Sequence, residues 1–159
     1  MSTNTSRPRV DRAVSVQTDG VRCPVATEKL AELARRSLGA LKVPRAMLSF
    51  TMVSARTMAT LNRKHLGHRG ATDVITFALG SDPSGVIVAD VYICPEVARA
   101  QAKAHGVGLR EEIARLVVHG VLHACGMDHP VDESRTSSPM WRAQERLLRR
   151  FWISSSAHA

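Results

Sequence analysis

Hydrophobic positions recur along this chain in two spacings, and together they predict an α+β domain. Segments in which apolar and polar residues alternate, or in which β-branched and aromatic residues form short runs, are typical of strands. Four such segments are present, at residues 13–17, 46–53, 72–79 and 86–93. Segments in which apolar residues return every three or four positions predict amphipathic helices. Five of these are expected, at residues 27–38, 54–62, 95–104, 109–125 and 139–152.

Hydroxyl side chains and turn residues mark where several of these elements begin and end. Thr27, Ser54 and Ser138 are placed to cap helices, because a hydroxyl oxygen there accepts a hydrogen bond from an otherwise unpaired backbone N–H. Residues 82–85, Asp-Pro-Ser-Gly, are typical of a turn. That turn predicts a hairpin between the third and fourth strands.

The eleven residues from His119 to His129, HGVLHACGMDH, carry the most specific chemical signal in the chain. His119 and His123 are four residues apart, so a helix of about 3.6 residues per turn brings both imidazoles to one face. Gly126 predicts the end of that helix, because glycine accepts left-handed backbone angles. The chain can turn back there, and His129 follows three residues later. We expect the three histidines to bind one metal ion together.

Zinc is the metal that this set of ligands favours. Three neutral nitrogen ligands with a fourth position open are typical of catalytic zinc, whereas structural zinc is usually closed by four residues and is rich in thiolate. The chain is therefore expected to bind one Zn²⁺. The spacing is that of the metzincin peptidases, except that Gly120 stands where those enzymes carry a glutamate as general base. A glycine in mid-helix also predicts that another element packs closely against it.

Length and composition favour a single domain. The chain has 159 residues, of which 44% are hydrophobic, enough for a core of its own. We expect one metal-binding domain over residues 13–152, a disordered basic tail at residues 1–12 and a frayed end at residues 153–159. The chain contains no run of about 18 apolar residues, so no membrane span is predicted. No apolar stretch follows the first arginines, so no secretory signal is predicted either. A cytoplasmic protein is expected.

The cysteines support a reducing compartment. Cys23, Cys94 and Cys125 are odd in number and widely spaced, which argues against a disulfide framework and against a thiolate zinc site. Cys125 lies two residues after His123 and so points to a different helix face. We interpret it as a buried filler.

The charge of the chain favours an acidic partner. The formal net charge is +8, and nucleic acid is the commonest acidic partner of a protein of this type. Much of the excess lies in the N-terminal tail and in the last helix. Charge alone therefore leaves nucleic-acid binding and a solvated surface equally open.

The stretch from residue 63 to residue 71, RKHLGHRGA, combines cations with glycines just before the third strand. Guanidinium groups pair with phosphate oxygens, and glycines let backbone N–H groups approach closely. The stretch suits contact with a phosphate backbone, although a solvated turn explains the same composition. The candidate RNA-binding residues are Arg63, Lys64, His65, His68 and Arg69.

The sequence leaves two possible roles open for each of two aspartates, one in the histidine motif and one in the fourth strand. Asp128 precedes His129, and a ligating histidine usually donates its second N–H to an acceptor. Asp128 is therefore a candidate to orient an imidazole or to cap the loop. Asp90 interrupts the apolar run of the fourth strand, where it either faces solvent or supports the site.

The motif that begins at His119 also carries a family resemblance. Its signature, H-G-x-L-H-x2-G-x-D-H, occurs here with Leu61–Phe77, Val88–Ile93 and Met140–Leu148 in consistent order. Together these segments resemble the YbeY family of rRNA maturation endoribonucleases, to which the signature is highly specific.

The resemblance implies both a fold and an activity. The implied fold is α+β, with a small mixed sheet of about four strands. The implied activity is zinc-dependent cleavage of single-stranded RNA, in maturation of the 3′ end of small-subunit (16S) rRNA and in ribosome quality control. The implied partners are rRNA, the small ribosomal subunit and ribosomal proteins, and the implied zinc ligands are His119, His123 and His129.

The chain departs from the family pattern at three places. Family members commonly have an arginine at the position of Leu66, where it faces the metal cleft and handles phosphate. The neighbouring cations of the loop are the candidate substitutes. Ala89 stands where the pattern usually has glycine, and no proline follows Phe77. These two changes affect strand and loop shape more than chemistry.

The expected catalytic group is a zinc-bound water, and no protein base is identified. Zinc with three neutral ligands keeps its double charge, which lowers the pKa of bound water toward about 7 and polarises a phosphoryl oxygen. Whether the nucleophile is this water or the RNA 2′-hydroxyl stays open.

Two other functions use the same zinc ligands. A metallopeptidase needs a base in place of Gly120, and none is adjacent. A ribosome-assembly or rRNA-binding factor with a mainly structural zinc needs a fourth protein ligand, for which Cys125 and His68 are the candidates.

Overall fold

Four strands form one mixed sheet in the computed structural model, which describes residues 9–130 and 132–153. The strands lie in the order β1-β2-β4-β3. β2 pairs in parallel with β1 and β4, and β3 pairs antiparallel with β4. Their bounds are β1 Asp11–Thr18, β2 Arg45–Met52, β3 Val74–Ser81 and β4 Ile87–Ile93.

Five α-helices accompany the sheet. Their bounds are α1 Thr27–Ala40, α2 Ala55–Leu61, α3 Pro95–His105, α4 Leu109–Ala124 and α5 Pro139–Leu148. Single π-helical turns extend α2 over Asn62–Leu66 and α5 over Arg149–Ile153, and a 3₁₀ turn covers Glu133–Ser137. The predicted α+β class, the small mixed sheet of four strands and the five helices are confirmed. No helix in the described ranges has the length and apolar character needed to cross a bilayer.

The predicted caps are correct at two of three helices. Ser54 Oγ accepts from the Thr57 N–H, and Ser138 Oγ accepts from the Trp141 N–H, both at 3.1 Å. Thr27 does not cap α1, because the helix begins at Thr27 itself and Ala26 holds the capping position without a side-chain bond.

The domain begins slightly earlier than the sequence suggested. Asp11 and Arg12, expected in the tail, are the first residues of β1 and pair with Arg45 and Ala46. The Arg12 Nε–H donates to the Val43 carbonyl at 2.7 Å, which connects this end of β1 to the loop that precedes β2. Ile153 belongs to the last π-helical turn. The rest of the predicted tail and frayed end, residues 1–8 and 154–159, lies outside the described residues.

The helix α4 is the centre of the core. Eleven of its 16 residues are buried, so it faces protein on almost every side. It packs against β3 and β4 of the sheet and against α1, α3 and α5. A helix that carries two candidate metal ligands is therefore held by most of the domain.

The face of β4 that carries Asp90 lies away from α4. The residues on either side of Asp90, Ala89 and Val91, are fully buried in the core, and Val91 faces α4. Because successive side chains of a strand point to opposite faces, Asp90 points away from α4. Asp90 Oδ1 accepts a hydrogen bond from Ser49 Oγ at 3.0 Å on the neighbouring strand. Of the two roles left open for Asp90, the structure thus excludes direct support of the histidines.

Gly120 lies where α4 comes closest to the sheet. A Cβ atom at this position would lie 2.9 Å from Val91 Cγ1 and 3.2 Å from Phe50 Cε1. Both neighbours are completely buried, and the β-branched Val91 side chain has little rotational freedom. The close packing predicted for the mid-helix glycine is confirmed.

We predict that Gly120→Ala destabilises the protein even though alanine favours helix. Overpacking of a core costs about 1–3 kcal/mol, whereas the gain in helix propensity is at most roughly 1 kcal/mol. With a stiff neighbour, the expected net loss in the free energy of unfolding is about 1–2 kcal/mol, measured by urea denaturation.

The matched control is Gly39→Ala in α1. There a Cβ atom would lie 3.6 Å from Arg12 Nη1, an ordinary contact, so the same substitution should be neutral or stabilising. An equal gain in stability at both positions would show that α4 does not press against the sheet at Gly120.

Candidate metal centre

The three histidines of the motif converge at the end of α4. His119 and His123 lie on its last turns, and Gly126 follows with a φ of 90°. That left-handed angle lets the chain turn back, because glycine has no Cβ to clash. His129 returns to the same place, so that one nitrogen from each ring lies within 4.8 Å of the others. The Nε2 atoms of His119 and His123 are 3.0 Å apart.

Each imidazole has a hydrogen-bond acceptor at its other nitrogen. His119 Nδ1 lies 2.7 Å from Gln144 Oε1. His123 Nδ1 lies 3.0 Å from the Met127 carbonyl, and His129 Nδ1 lies 2.9 Å from the Pro130 carbonyl. These oxygens only accept, so Nδ1 carries the hydrogen and each Nε2 presents a lone pair.

The amide of Gln144 is itself held in one orientation. Its Nε2 lies 3.3 Å from Glu145 Oε1, to which it donates, so its oxygen faces His119. The Glu145 carboxylate is bound in turn by Arg115 Nε at 2.7 Å. Arg115 also pairs with Glu111 and Glu112 on α4. A chain of hydrogen bonds thus runs from an ion-pair network to the His119 ring.

The surroundings favour the neutral form of the His119 and His123 imidazoles. Burial lowers the pKa of His119 from 6.5 to about 4, and the neighbouring His123, His129 and Arg135 add to that shift while the Gln144 bond opposes it. Burial is also the main cause that lowers the pKa of His123. Neutral imidazole is the form that binds a metal ion.

The donor set fits a divalent cation. Two neutral imidazoles that direct lone pairs at each other across 3.0 Å repel, since no hydrogen lies between them. A cation placed among the three Nε2 atoms converts that repulsion into coordination. Three imidazole nitrogens suit zinc and several other first-row metals.

The cleft beside the histidines has a volume of about 260 Å³. One wall is the beginning of β3, and the other is the 3₁₀ turn that precedes α5. Besides the three histidines it is lined by Thr72, Asp73, Val74, Thr76 and Arg135.

Thr76 and Arg135 give this cleft its polar character. Thr76 Oγ1 is buried and has no hydrogen-bond partner in the described part of the chain. A buried hydroxyl without a partner costs about 1–3 kcal/mol, so it is a ready donor for a bound oxygen. Arg135 brings an exposed guanidinium, which makes no ion pair with any described carboxylate.

Asp128 contacts the loop rather than a ring. Its Oδ1 accepts from the backbone N–H of His129 at 2.9 Å, which is the loop-capping role of the two that were left open. Carbonyl oxygens and Gln144 take the place of a carboxylate behind the imidazoles.

The candidate fourth ligands do not join the cluster. Among the described residues, the group of ligand atoms that includes the three histidines contains neither Cys125 nor His68. Cys125 packs against the core, and burial raises the pKa of its thiol, which disfavours the thiolate that a metal needs.

The five candidate RNA-binding residues lie outside the metal cleft. The π-helical turn and following loop that carry them are exposed, and none of them lines the cleft. The His65 ring packs edge-on against Phe77 at 5.3 Å, on the opposite face of β3 from Thr76. The cation that lines the cleft is Arg135, which the sequence did not single out.

Gln144, Thr76 and Arg135 were missed for different reasons. Gln144 interrupts the apolar stripe of α5, with Met140 and Leu148 four positions away on each side, and that polar residue in a buried stripe was an available signal. Thr76 is unremarkable in an alternating strand. Arg135 lies in a polar segment without periodicity.

Fold and site together define a class: an α+β protein with a cluster of three histidines that could hold a metal ion beside an open cleft. The family model of endoribonuclease YbeY matches residues 15–152. The chain therefore belongs to the YbeY endoribonuclease family.

Individual relatives agree with this assignment. The chain is 37% identical over 150 residues to endoribonuclease YbeY of Frankia casuarinae, covering 86% of this chain and 73% of that protein. It is 39% identical over 135 residues to endoribonuclease YbeY of Thermobifida fusca, covering 79% and 85%. The solution structure of TM1509 from Thermotoga maritima shares the fold, with a TM-score of 0.61, 23% identity and coverage of 91% and 93%.

We predict that Gln144→Met lowers metal affinity about 10- to 100-fold, as is typical when the acceptor behind a ligating histidine is lost. Methionine fills similar volume in α5, so the fold should persist. Affinity is measured by competition with a chromophoric chelator. Gln17→Met on β1, distant from the site, is the control and should bind metal like the unmodified protein; equal affinities in both variants would contradict the role of Gln144.

Stability of the metal-free protein should fall as the pH is lowered from about 6.5 to about 4. The lowered pKa of His119 means that the unfolded chain binds a proton in this range and the folded chain does not. Protonation therefore favours unfolding as pH decreases. Urea titrations across this range measure the effect, and His119→Gln should flatten the dependence. An identical slope in the variant would show that His119 is not responsible.

Proposed function

We propose that this protein is a zinc-dependent endoribonuclease that cleaves single-stranded RNA. The relatives at 37% and 39% identity are named endoribonuclease YbeY, which supports the activity. We further propose that it acts in the cytoplasm on the 3′ end of 16S rRNA, and in ribosome quality control with small-subunit proteins as partners.

The observation that carries the proposal is the convergence of three lone pairs beside an open cleft. The Nε2 atoms are presented by rings whose other nitrogens are already bonded. Among the described residues no fourth side chain completes the cluster. A position left open to solvent or substrate distinguishes catalytic from structural zinc.

Bound zinc supplies a Lewis acid that polarises a phosphoryl oxygen and activates water. The chain's own residues prepare the cleft for a phosphodiester. The Thr76 hydroxyl, buried and unpartnered, donates to an oxygen of the substrate. Arg135 offers its guanidinium to the phosphate from the opposite wall. The substrate is thereby held between β3 and the 3₁₀ turn.

The loop cations have a different proposed task. Because Arg63, Lys64, His65, His68 and Arg69 lie outside the cleft and are exposed, we assign them to the RNA backbone beyond the scissile phosphate. Contacts of this kind add affinity without sequence information. Arg135 is then the substitute for the arginine that Leu66 replaces.

The alternative functions find no support in the geometry. A peptidase base at position 120 would project toward Val91 and Phe50 in the core, not into the cleft. A structural zinc would need a fourth protein ligand, and Cys125 is not part of the cluster.

The test is cleavage of a single-stranded RNA carrying the 16S rRNA 3′ end. His123→Ala should lose both zinc, measured by elemental analysis, and cleavage, because one of three ligands is removed. Cys125→Ala is the control next to the motif and should keep both. The products also identify the nucleophile, because a 2′,3′-cyclic phosphate arises from attack by the 2′-hydroxyl.

If the unmodified protein holds one zinc per chain yet cuts no faster than His123→Ala, the isolated protein is not a nuclease. Loss of zinc in Cys125→Ala would instead favour a structural zinc.

A further inference from the structure

A second and larger groove continues from the metal cleft. Its volume is about 630 Å³, within the usual range for small-ligand sites. It lies between α3 and α5, with α4 as its floor. At one end it shares four residues with the cleft at the histidines: Thr72, Asp73, His119 and Arg135. A strand bound at the metal can therefore extend into it.

The walls of the groove suit a flat ring with polar edges. Trp141 of α5 lines one side and is half-buried, and the apolar residues Ala104, Val107 and Leu116 also line the groove. The side-chain amide of Gln101 also lines the groove and makes no hydrogen bond within the described residues. An amide offers both a donor and an acceptor to a base edge.

The groove is poorly suited to a phosphate. Its half-buried cation, Arg115, already pairs with Glu111, Glu112 and Glu145 on the floor and side. Four of its five N–H donors bond these three carboxylates, whose negative charge disfavours an additional anion there. The cation that is available, Arg135, stands at the junction with the metal cleft. Phosphate is thus favoured at the junction and an uncharged ring beyond it.

We propose that this groove binds one nucleobase of the RNA strand, adjacent to the phosphate at the histidine cluster. The base stacks on Trp141 and presents its edge to Gln101, while Arg135 holds the linking phosphate. This inference rests on the proposed nuclease function and adds a substrate subsite to it. Aromatic residues make up only 4% of the chain, which fits a single base subsite rather than an extended stacking surface.

Tryptophan fluorescence tests the subsite without relying on cleavage. The chain has two tryptophans, so Trp152→Phe leaves Trp141 as the sole reporter and Trp141→Phe leaves Trp152. Both zinc-loaded variants are titrated with a 2′-O-methylated single strand, which excludes attack by the 2′-hydroxyl, and gel analysis after the titration checks that the strand is still intact. Stacking should quench Trp141 saturably, with little change at Trp152. Replacing one base by an abasic residue should remove the quenching.

Kinetics give the second readout. Trp141→Ala should raise KM for single-stranded RNA roughly 5- to 100-fold, the range for loss of one stacked base, with a smaller effect on kcat and unchanged zinc content. Trp141→Phe should restore most of the affinity because the aromatic face is kept.

The failures of the two proposals are distinguishable. If the unmodified protein cleaves RNA and Trp141→Ala has the same KM, or if Trp141 emission is unchanged while anisotropy shows that RNA binds, the subsite is wrong and the nuclease stands. If RNA quenches Trp141 but nothing is cleaved, the subsite stands as a binding site and the nuclease proposal fails.

Discussion

Without a side chain at Gly120, α4 approaches β2 and β4 closely enough to lie against Val91 and Phe50. This close contact fixes the height and rotation of the helix that bears two of the three histidines. The remaining contacts follow from it, because α1, α3 and α5 pack around a helix that is already held by the sheet. The histidine cluster is therefore held rigidly, because the core packs around the helix that carries two of its members. A candidate metal site held in this way needs no rearrangement to bind an ion.

Helix α5 supplies the side chain that orients the His119 ring, which α4 alone does not do. Gln144 reaches His119 across the packed pair of helices, and Arg115 holds the carboxylate that fixes the amide. Burial then keeps His119 neutral. His119 and Gln144 are 25 residues apart in sequence, and Arg115 and Glu145 are 30 apart, so the chemistry of the site depends on tertiary packing as much as on the motif. Together with α3, the same two helices form the groove that we assign to a nucleobase.

Local pattern was sufficient to predict the strands, the helices and the convergence of the three histidines. Alternation and helical periodicity located all four strands and five helices, and the spacing of His119, His123 and Gly126 predicted the metal cluster because those residues are close in sequence. Gln144 and Arg135 escaped because their positions depend on how α5 crosses α4 and on where the chain runs after His129. Periodicity contains no information of that kind. The loop cations were chosen by composition, and composition does not tell which face of β3 a side chain reaches.

We propose that three histidines alone hold the metal and leave one position open. X-ray absorption at the zinc edge of the metal-loaded protein measures the ligand set directly. The expected spectrum shows a nitrogen and oxygen shell at about 2.0–2.1 Å, with the scattering pattern of three imidazoles and one exchangeable oxygen ligand. A zinc–sulfur shell near about 2.3 Å, or a fourth imidazole, would contradict it and mean that the site is closed and structural.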